Sequence, residues 1–272
     1  MVKFRHNRKG EALQNAGVRK NMTKAIRVRG CMIGEGMPKI CVPVMGGTEN
    51  EIIRRAKEAV AKGPDLVEWR ADFFSGIRNE KNVCTVMKKV RNCLGETPLL
   101  FTVRTEREGG ALAVSADAYD GILTGAAGSG QVDLVDVEVM HDAVHAAGLI
   151  ESLHKKGVTV IGSNHHFHDT PDSAEMRNTL SDMERAGADI LKLAVMPDTA
   201  KDVLRLLAVT EEYRRHTARP LITMSMGRLG AVSRLAGELV GSSVTFGSVT
   251  EASAPGQIDM ADMKKILMLL HS

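Results

Sequence analysis

The residue of this chain most suited to chemistry is Lys192, which lies inside the apolar run 190–197. The run is short and ends at a proline, which predicts a buried strand. Burial disfavours the charged form of a lysine amine, and a neutral amine can attack a carbonyl carbon to form a Schiff base. The alternative is a lysine at a strand end whose amine extends to solvent.

Elements that could position this lysine follow one another regularly from residue 38 onward. The predicted strands are 40–45, 65–70, 98–104, 132–138, 158–163, 189–195, 220–226 and 243–248, and the predicted helices are 49–62, 80–94, 116–128, 142–156, 172–186, 199–216, 231–240 and 259–270. Alternating strands and helices indicate parallel βαβ units. Eight such units predict an α/β protein with a (β/α)8 TIM barrel as its single domain. An open doubly wound sheet is the alternative, but no Gly-x-Gly-x-x-Gly follows the first strand.

The chain before the barrel has a different composition. Residues 1–21 carry six Lys/Arg and one acid, a net charge of +5, whereas the remainder holds 30 basic and 32 acidic residues, a net charge of −2. Such a tail could contact nucleic acid or resemble a transit peptide. We favour a basic, disordered extension over 1–21, a β-hairpin over 24–36, and a barrel catalytic domain over 22–272.

Composition excludes several classes of protein. Apolar residues make up 43% and charged residues 25% of the chain, as in soluble globular proteins. No apolar stretch approaches 18 residues, and the N-terminus lacks the apolar core of a secretory signal. The four cysteines form no Cys-x-x-Cys pair. These features predict reduced thiols in a cytoplasmic protein that does not bind membranes.

Polar side chains occur at the C-terminal ends of seven predicted strands, which is where barrel active sites lie. Residues of equal parity point to the same side of a strand, so Glu68 and Arg70 share a face. Three arginines near a lysine, Arg70, Arg104 and Arg234, indicate a small, anionic, hydroxyl-rich substrate. Each feature alone could be a solvated strand end or a salt-bridge partner. The strand-end residues are Glu68, Arg70, Arg104, Asp136, Glu138, His165, Lys192, Ser225, Ser253 and Gln257.

Three histidines, His165, His166 and His168, raise the question of a metal site. Adjacent strand residues point to opposite faces, so His165 and His166 could not easily bind one ion. A catalytic zinc needs three protein ligands, and the sequence offers no clear third donor. We therefore predict no metal. His165 is better suited to general acid–base chemistry, because an imidazole titrates near neutral pH.

Taken together, the motifs resemble those of type I 3-dehydroquinate dehydratases, the Schiff-base enzymes of the shikimate pathway. The resemblance covers about residues 22–271, in order and with plausible spacing. The motifs that carry it are Ile33-Gly34-Glu35-Gly36, Pro38-Lys39-Ile40, Glu68-Trp69-Arg70-x-Asp72, Leu100-Phe101-Thr102-x-Arg104, Glu108-Gly109-Gly110, Ser163-Asn164-His165-x-Phe167, Lys192-x-Ala194-Val195-Met196-Pro197, Ile222-Thr223-Met224-Ser225-Met226, Ser233-Arg234-Leu235-Ala236-Gly237-Glu238 and Ser253-Ala254-Pro255-Gly256-Gln257.

The resemblance implies a catalytic group of three residues. Lys192 would attack the C3 ketone of 3-dehydroquinate and form an imine. His165 would move the protons of imine formation and of the syn elimination of water, and Glu108 would orient and tune His165. The product would be 3-dehydroshikimate, in the third step of chorismate and aromatic amino acid biosynthesis.

The resemblance also implies how the substrate is held. Arg234 would bind the substrate carboxylate, and the loop 253–257 would close over the substrate. No cofactor beyond the lysine imine and no metal would be needed, and the enzyme would be a homodimer. The other substrate-binding residues would be Glu68, Arg70, Arg104, Ser253, Gln257, Met226 and Phe246.

Two positions depart from the family pattern. Pro43 stands where many relatives have a serine, so a side-chain contact from that position would be lost. His166 stands where many relatives have an aspartate after the histidine. If that aspartate tunes the histidine, the pH profile of this protein would be shifted.

Three other functions fit parts of the sequence. A class I aldolase or transaldolase would also use a lysine in a barrel, but segment 226–230 is only a partial phosphate-binding loop. A quinate-responsive regulator would not need Lys192 and His165. A nucleic-acid binder is disfavoured, because the barrel is slightly acidic and only 3% of residues are aromatic.

Overall fold

A parallel β-sheet rolled into a barrel forms the centre of the molecule. The computed structural model describes residues 23–139, 143–249 and 256–271, so the predicted extension over 1–21 lies outside the described residues. The strands are β1 (Ile26–Val28), β2 (Cys31–Ile33), β3 (Lys39–Val44), β4 (Leu66–Arg70), β5 (Leu99–Thr102), β6 (Leu134–Glu138), β7 (Thr159–His166), β8 (Ile190–Val195), β9 (Leu221–Ser225), β10 (Val244–Ser248) and β11 (Ile258–Asp259). The helices are α1 (Glu49–Val60), α2 (Glu80–Leu94), α3 (Ala116–Gly128), α4 (Ala143–His154), α5 (Ser173–Arg185), α6 (Ala200–Tyr213), α7 (Gly237–Val240) and α8 (Met260–Leu270).

The strand order confirms the predicted (β/α)8 barrel. Strands β3 to β9 pair in sequence order, and β10 pairs with β3 on one side and with β11 on the other; every one of these pairings is parallel. The barrel closes between β9 and β10, where Ser243 N donates a 2.7 Å hydrogen bond to Leu221 O. The predicted hairpin is present as the antiparallel pair β1–β2.

Helix starts follow their capping residues. Thr48 and Glu51 form a capping box at the start of α1, and the Asp172 carboxylate accepts from two backbone N–H groups at the start of α5. No helix within the described part of the chain is long and apolar enough to cross a bilayer.

Two differences from the predicted elements affect the segments that carry site residues. Strand β7 continues to His166, because His165 and His166 pair with Ala194 and Val195 of β8. The predicted helix over 231–240 is instead a 3-10 turn (Ala231–Arg234) followed by the short α7. The Arg234 carbonyl accepts from the Thr245 hydroxyl at 2.9 Å. This bond to a strand residue satisfies a backbone group that a continuous helix would use.

The barrel interior is layered by polarity. Inward positions two residues apart along each strand share the interior, because side chains alternate across a strand. The layer nearest the N-terminal ends is apolar and is covered by Val28 and Ile33 of the hairpin. The layers beyond it carry the polar side chains described below. The apolar layer contains Leu66, Leu100, Leu134, Ile161, Ile190, Ile222 and Val244.

Aspartates tie alternate strands together at the N-terminal end of the barrel. Asp65, Asp133 and Asp189 precede β4, β6 and β8, and each accepts a backbone N–H from the preceding strand at 2.8–2.9 Å. Asp133 also pairs with Arg29 at 2.6 Å and Arg91 at 2.9 Å. These carboxylates serve register and stability.

Candidate active site

Lys192 points into the barrel from β8 and is 3% exposed. Its Nζ donates a 3.0 Å hydrogen bond to Asp136 Oδ2 and lies 3.8 Å from Glu68 Oε1. The ring centroid of Phe246 is 4.8 Å from Nζ, within cation–π range. The predicted burial is confirmed, and two carboxylates, Asp136 and Glu68, lie beside the amine, which the sequence did not lead us to expect.

Arg104 links three carboxylates beside the lysine. Its Nη2 donates to Asp136 at 2.8 Å, and its Nη1 lies 3.0 Å from Glu138 and 3.2 Å from Glu108. The guanidinium is 3% exposed. Burial opposes the charge, but Asp136, Glu138 and Glu108 raise the pKa of Arg104 well above its usual value. Arg104 is therefore a permanent cation at the centre of the site.

Asp136 is fully buried between Arg104 and Lys192. Its Oδ1 accepts from Arg104 and, at 2.5 Å, from the Ser163 hydroxyl, while its Oδ2 accepts from Lys192. Burial alone would raise the pKa of Asp136, but Arg104 and Lys192 outweigh burial and lower the pKa to about 2. Asp136 is thus ionised throughout the physiological range.

His165 and Glu108 form a hydrogen-bonded pair at the mouth of the barrel. His165 Nδ1 lies 2.9 Å from Glu108 Oε2, and Asn164 donates to the other carboxylate oxygen at 3.3 Å. Glu108 belongs to a 3-10 turn (Glu106–Glu108) that follows β5. Glu108 therefore contacts the imidazole directly, and its orienting role stays a prediction.

Burial shifts both members of this pair towards their neutral forms. Burial raises the pKa of Glu108 to about 8, although Arg104 opposes the shift. Burial, followed by the charges of Arg104 and Lys192, lowers the pKa of His165 well below its usual value. At neutral pH the imidazole is therefore unprotonated and able to accept a proton.

Two further arginines, Arg70 and Arg234, line the same cavity, and each has different neighbours. Arg70 makes a bidentate pair with Asp72, with both N–O distances at 2.8 Å, and Asp72 also accepts from Ala111 N at 3.2 Å. Arg234 is 1% exposed beside the Met224 sulfur, and burial lowers its pKa to about 10. A carboxylate entering the cavity would offset the desolvation of these guanidinium groups.

The structure brings most of the predicted site residues into one cavity at the C-terminal end of the barrel. Glu108 does not line this cavity, but its carboxylate contacts His165 Nδ1 at 2.9 Å. Ser253 lies outside the described residues. Pro43, the departure noted in the sequence, is buried and paired in register with Glu68. The cavity is lined by Glu68, Arg70, Arg104, His165, Phe167, Lys192, Ala194, Met224, Met226, Arg234, Phe246 and Gln257.

Sequence reasoning missed the roles of two buried polar residues. Asp136 was recognised as a strand-end residue, but its contact with Lys192 was not expected. Thr102 donates a 2.8 Å hydrogen bond to Glu68 and so orients a cavity carboxylate. The available signal was parity, because both side chains lie two residues beyond the apolar layer. Within the described ranges, no group of three or more His, Cys, Asp or Glu is arranged to hold a metal ion.

A glycine fixes the loop that carries Glu108. A Cβ atom built on Gly110 would lie 2.0 Å from the Arg104 carbonyl oxygen, and one on Gly109 would lie 2.5 Å from the Phe167 ring. Gly109 also has a positive φ of 74°. The turn can therefore pack against Arg104 and Phe167 only without side chains at these two positions.

A (β/α)8 barrel with a buried lysine and a histidine–carboxylate pair at its C-terminal end has the features of enzymes that act through a lysine nucleophile. The model of the type I 3-dehydroquinase family matches residues 40–272. The chain therefore belongs to the type I 3-dehydroquinase family.

The sequence is similar to those of individual relatives along nearly the whole chain. The chain is 46% identical to 3-dehydroquinate dehydratase of Syntrophotalea carbinolica, over 90% of this chain and 98% of that protein. It is 45% identical to the Listeria monocytogenes enzyme of the same name, over 92% and 99% of the two chains.

Solved structures show the same fold. The crystal structure of 3-dehydroquinate dehydratase from Geobacillus kaustophilus matches with a TM-score of 0.90 and 43% identity, over 92% of this chain and 98% of that one. The type I enzyme from Clostridium difficile, solved with covalently modified comenic acid, matches with a TM-score of 0.89 and 43% identity, over 92% and 99%.

Proposed function

We propose that this protein is a hydro-lyase that converts 3-dehydroquinate to 3-dehydroshikimate and water through an imine on Lys192, in the shikimate pathway. The observation that carries the proposal is the position of Lys192 Nζ in the cavity that also contains His165, Arg70 and Arg234. A nucleophile, a proton acceptor and binding groups for an anion then share one small cavity.

Imine formation begins with loss of a proton from the Lys192 ammonium to neutral His165. The amine attacks the C3 carbonyl carbon, and the carbonyl oxygen takes up a proton to give a carbinolamine. A further proton passes from nitrogen to this hydroxyl through His165, and water leaves as the C=N⁺ bond forms. The two protons lost by the ammonium depart with the ketone oxygen, and His165 ends neutral.

Elimination uses the iminium as an electron sink. His165 removes a proton from C2, and the electron pair of the C–H bond moves into an enamine. The electron pair of the enamine then expels the C1 hydroxyl, which takes the proton from His165 and leaves as water. Hydrolysis of the remaining imine releases the product and regenerates the lysine.

We assign substrate binding to the charged residues around the cavity. Arg234 is proposed to hold the substrate carboxylate, because a guanidinium pairs with a carboxylate through two parallel hydrogen bonds. Glu68, Arg70, Arg104 and Gln257 would bind hydroxyls or the carboxylate, while Met226 and Phe246 would pack on the ring. Ser253 would contribute from the loop that precedes Gln257.

The proposal includes three further statements. The reaction requires no cofactor besides the covalent imine, the enzyme acts in the cytoplasm, and it forms a homodimer. Activity of protein that has been treated with a chelator and separated from small molecules tests the first. Light scattering coupled to size exclusion measures the mass in solution, and a mass near one chain's 29.4 kDa would contradict the dimer.

The first experiment is borohydride trapping with 3-dehydroquinate, read by intact and peptide mass spectrometry. We expect a single ligand-sized adduct on the peptide containing Lys192, together with formation of the conjugated product. Sugar phosphates serve as the control ketones and should give no adduct. If folded protein gave no adduct with 3-dehydroquinate, the imine mechanism would be rejected.

A further inference from the structure

One buried carboxylate beside Lys192 has no role in the reaction described above. Asp136 takes no part in the proton transfers described above. Its Oδ2 nevertheless lies 3.0 Å from Lys192 Nζ, the atom that forms the imine. Its other oxygen is held by Arg104 at 2.8 Å and Ser163 at 2.5 Å. Three donors from three different strands or loops thus fix the direction in which this carboxylate presents its charge.

Asp136 is poorly suited to proton transfer. The balance of burial, Arg104 and Lys192 lowers the pKa of its carboxyl to about 2, and efficient general bases have pKa values near the operating pH. His165 is available for that task. A carboxylate that stays ionised acts instead as a fixed charge.

The charge on the lysine nitrogen is the same before and after imine formation. The ammonium carries +1, and the iminium also carries +1, because the two protons lost from nitrogen leave in the water molecule. A fixed anion 3.0 Å from that nitrogen therefore fits both states without rearrangement. Such matching is the property expected of preorganised electrostatic stabilisation.

We propose that Asp136 is a positioning residue that holds Lys192 Nζ at the floor of the cavity and keeps the imine nitrogen protonated during elimination. The inference rests on the proposed function, since it concerns the same imine. Without the carboxylate, more of the adduct would exist as a neutral imine, which accepts the electron pair of the C2–H bond poorly.

Other titratable groups also surround the lysine nitrogen and contribute to the electrostatic potential there. Glu68 of β4 lies 3.8 Å from Nζ, while Arg104, held after β5, pairs with Asp136 on the side away from the lysine. His165 of β7 and the Cys41 thiol of β3 also interact electrostatically with Lys192. Of the two carboxylates near Nζ, only Asp136 is within hydrogen-bond distance, so its removal should have the larger effect.

The test compares Asp136→Asn with wild type and with Asp133→Asn. Asp133 is a matched control, because it lies three residues earlier on the chain, pairs with Arg91 and Arg29, and does not line the cavity. We expect Asp136→Asn to lower kcat by at least 100-fold while KM changes less than about threefold. Asp133→Asn should keep kcat within twofold.

A second measurement reports the protonation of the imine. Cyanoborohydride reduces protonated iminium much faster than neutral imine, so the yield of trapped adduct with 3-dehydroquinate is followed against pH. In Asp136→Asn we expect the midpoint of the decline in trapping at high pH to move down by at least one unit. Loss of packing alone would lower the yield without moving the midpoint.

A third variant covers a failure of Asp136→Asn to fold. Ser163→Ala keeps every charge and removes the hydroxyl that holds Asp136 Oδ1. We expect a smaller downward shift of the same midpoint, about half a unit. An unchanged midpoint in the folded variants would overturn the role of Asp136. Absence of any adduct in wild type would instead overturn the proposed function itself.

Discussion

The two ends of the barrel use carboxylates in different ways. At the N-terminal end, Asp65, Asp133 and Asp189 each accept a backbone N–H from a neighbouring strand. At the C-terminal end, Asp136 and Glu108 contact side chains that can react or move protons, namely Lys192 and His165. The same residue chemistry fixes strand register at one end and tunes reactivity at the other.

The comparison shows that the reactive end carries an energetic cost. A protein loses stability as pH rises when folding raises the pKa of a carboxyl group. It loses stability as pH falls when folding lowers the pKa of an imidazole. Glu108 and His165 are shifted in these two directions. Asp136 instead contributes stability, because its lowered pKa gives stability that is present above about pH 4 and is lost as pH falls through about 2.

The largest expected effect on activity comes from removing the nucleophile. Lys192→Ala should lower kcat by on the order of 10⁴-fold or more, because covalent catalysis is lost. The exposed Lys62→Ala should be indistinguishable from wild type. Turnover is followed by product absorbance. Activity of Lys192→Ala within tenfold of wild type would remove the distinction between the two ends.

The next largest effect is expected for the proton-transfer pair. Glu108→Gln should lower kcat by about 10- to 1000-fold, because the orienting carboxyl of His165 is replaced by an amide. Steady-state kinetics measures the loss. The control is Glu106→Gln in the same turn, which should remain close to wild type.

Glu108→Gln should also change how the stability of the protein depends on pH. Glu108 ionises above about pH 4.5 in the unfolded chain and near pH 8 in the folded protein, so wild type loses stability as pH rises between these values. Glu108→Gln lacks this loss. Its free energy of unfolding relative to wild type should therefore increase from pH 5 to pH 8, as measured by urea titration. A difference independent of pH would contradict this assignment.

A smaller effect is expected from the histidine that follows His165. His166 is one of the charges that lower the pKa of His165. His166→Asp replaces that charge with an anion, so the pKa of His165 should rise and the acid limb of the kcat/KM profile should move up by as much as about one pH unit. His168→Asp is the control. A limb that moves down would contradict the electrostatic account.

The smallest effect on turnover is expected at the N-terminal end. Asp133→Asn should leave kcat within twofold but lower the free energy of unfolding by about 1.5–3 kcal/mol, the range for hydrogen bonds to charged groups. Urea unfolding with far-ultraviolet circular dichroism measures the loss. Activity lost without a change in stability would show that the two ends are not separable in this way.

The sequence predicted the element order well because its patterns are local. Alternation of apolar runs, Gly and Pro stops, and caps such as Thr48 are readable within a few residues. The break before α7 was not predicted, because it depends on the Thr245 hydroxyl bonding the Arg234 carbonyl across the fold.

Within the site, residue types were more predictable than contacts. Lys192 and His165 were identified from an apolar run and a motif, whereas the Lys192–Asp136 contact joins residues 56 positions apart. Strand register and barrel shear decide whether the amine of a buried lysine contacts apolar side chains or a carboxylate. No local sequence pattern specifies either of them. The contact of Lys192 with Asp136 was not predicted for this reason.

Gly110 has a consequence for how the chain tolerates mutation. It carries no side chain, yet any Cβ there would press on the Arg104 carbonyl oxygen at 2.0 Å and displace the backbone that holds the central cation. Saturation mutagenesis could be scored by the growth of cells that depend on this activity. Substitutions at Gly110 would then be tolerated as poorly as those at a catalytic residue. Genetic intolerance in such a screen would therefore mark the support of the site as well as the groups that react.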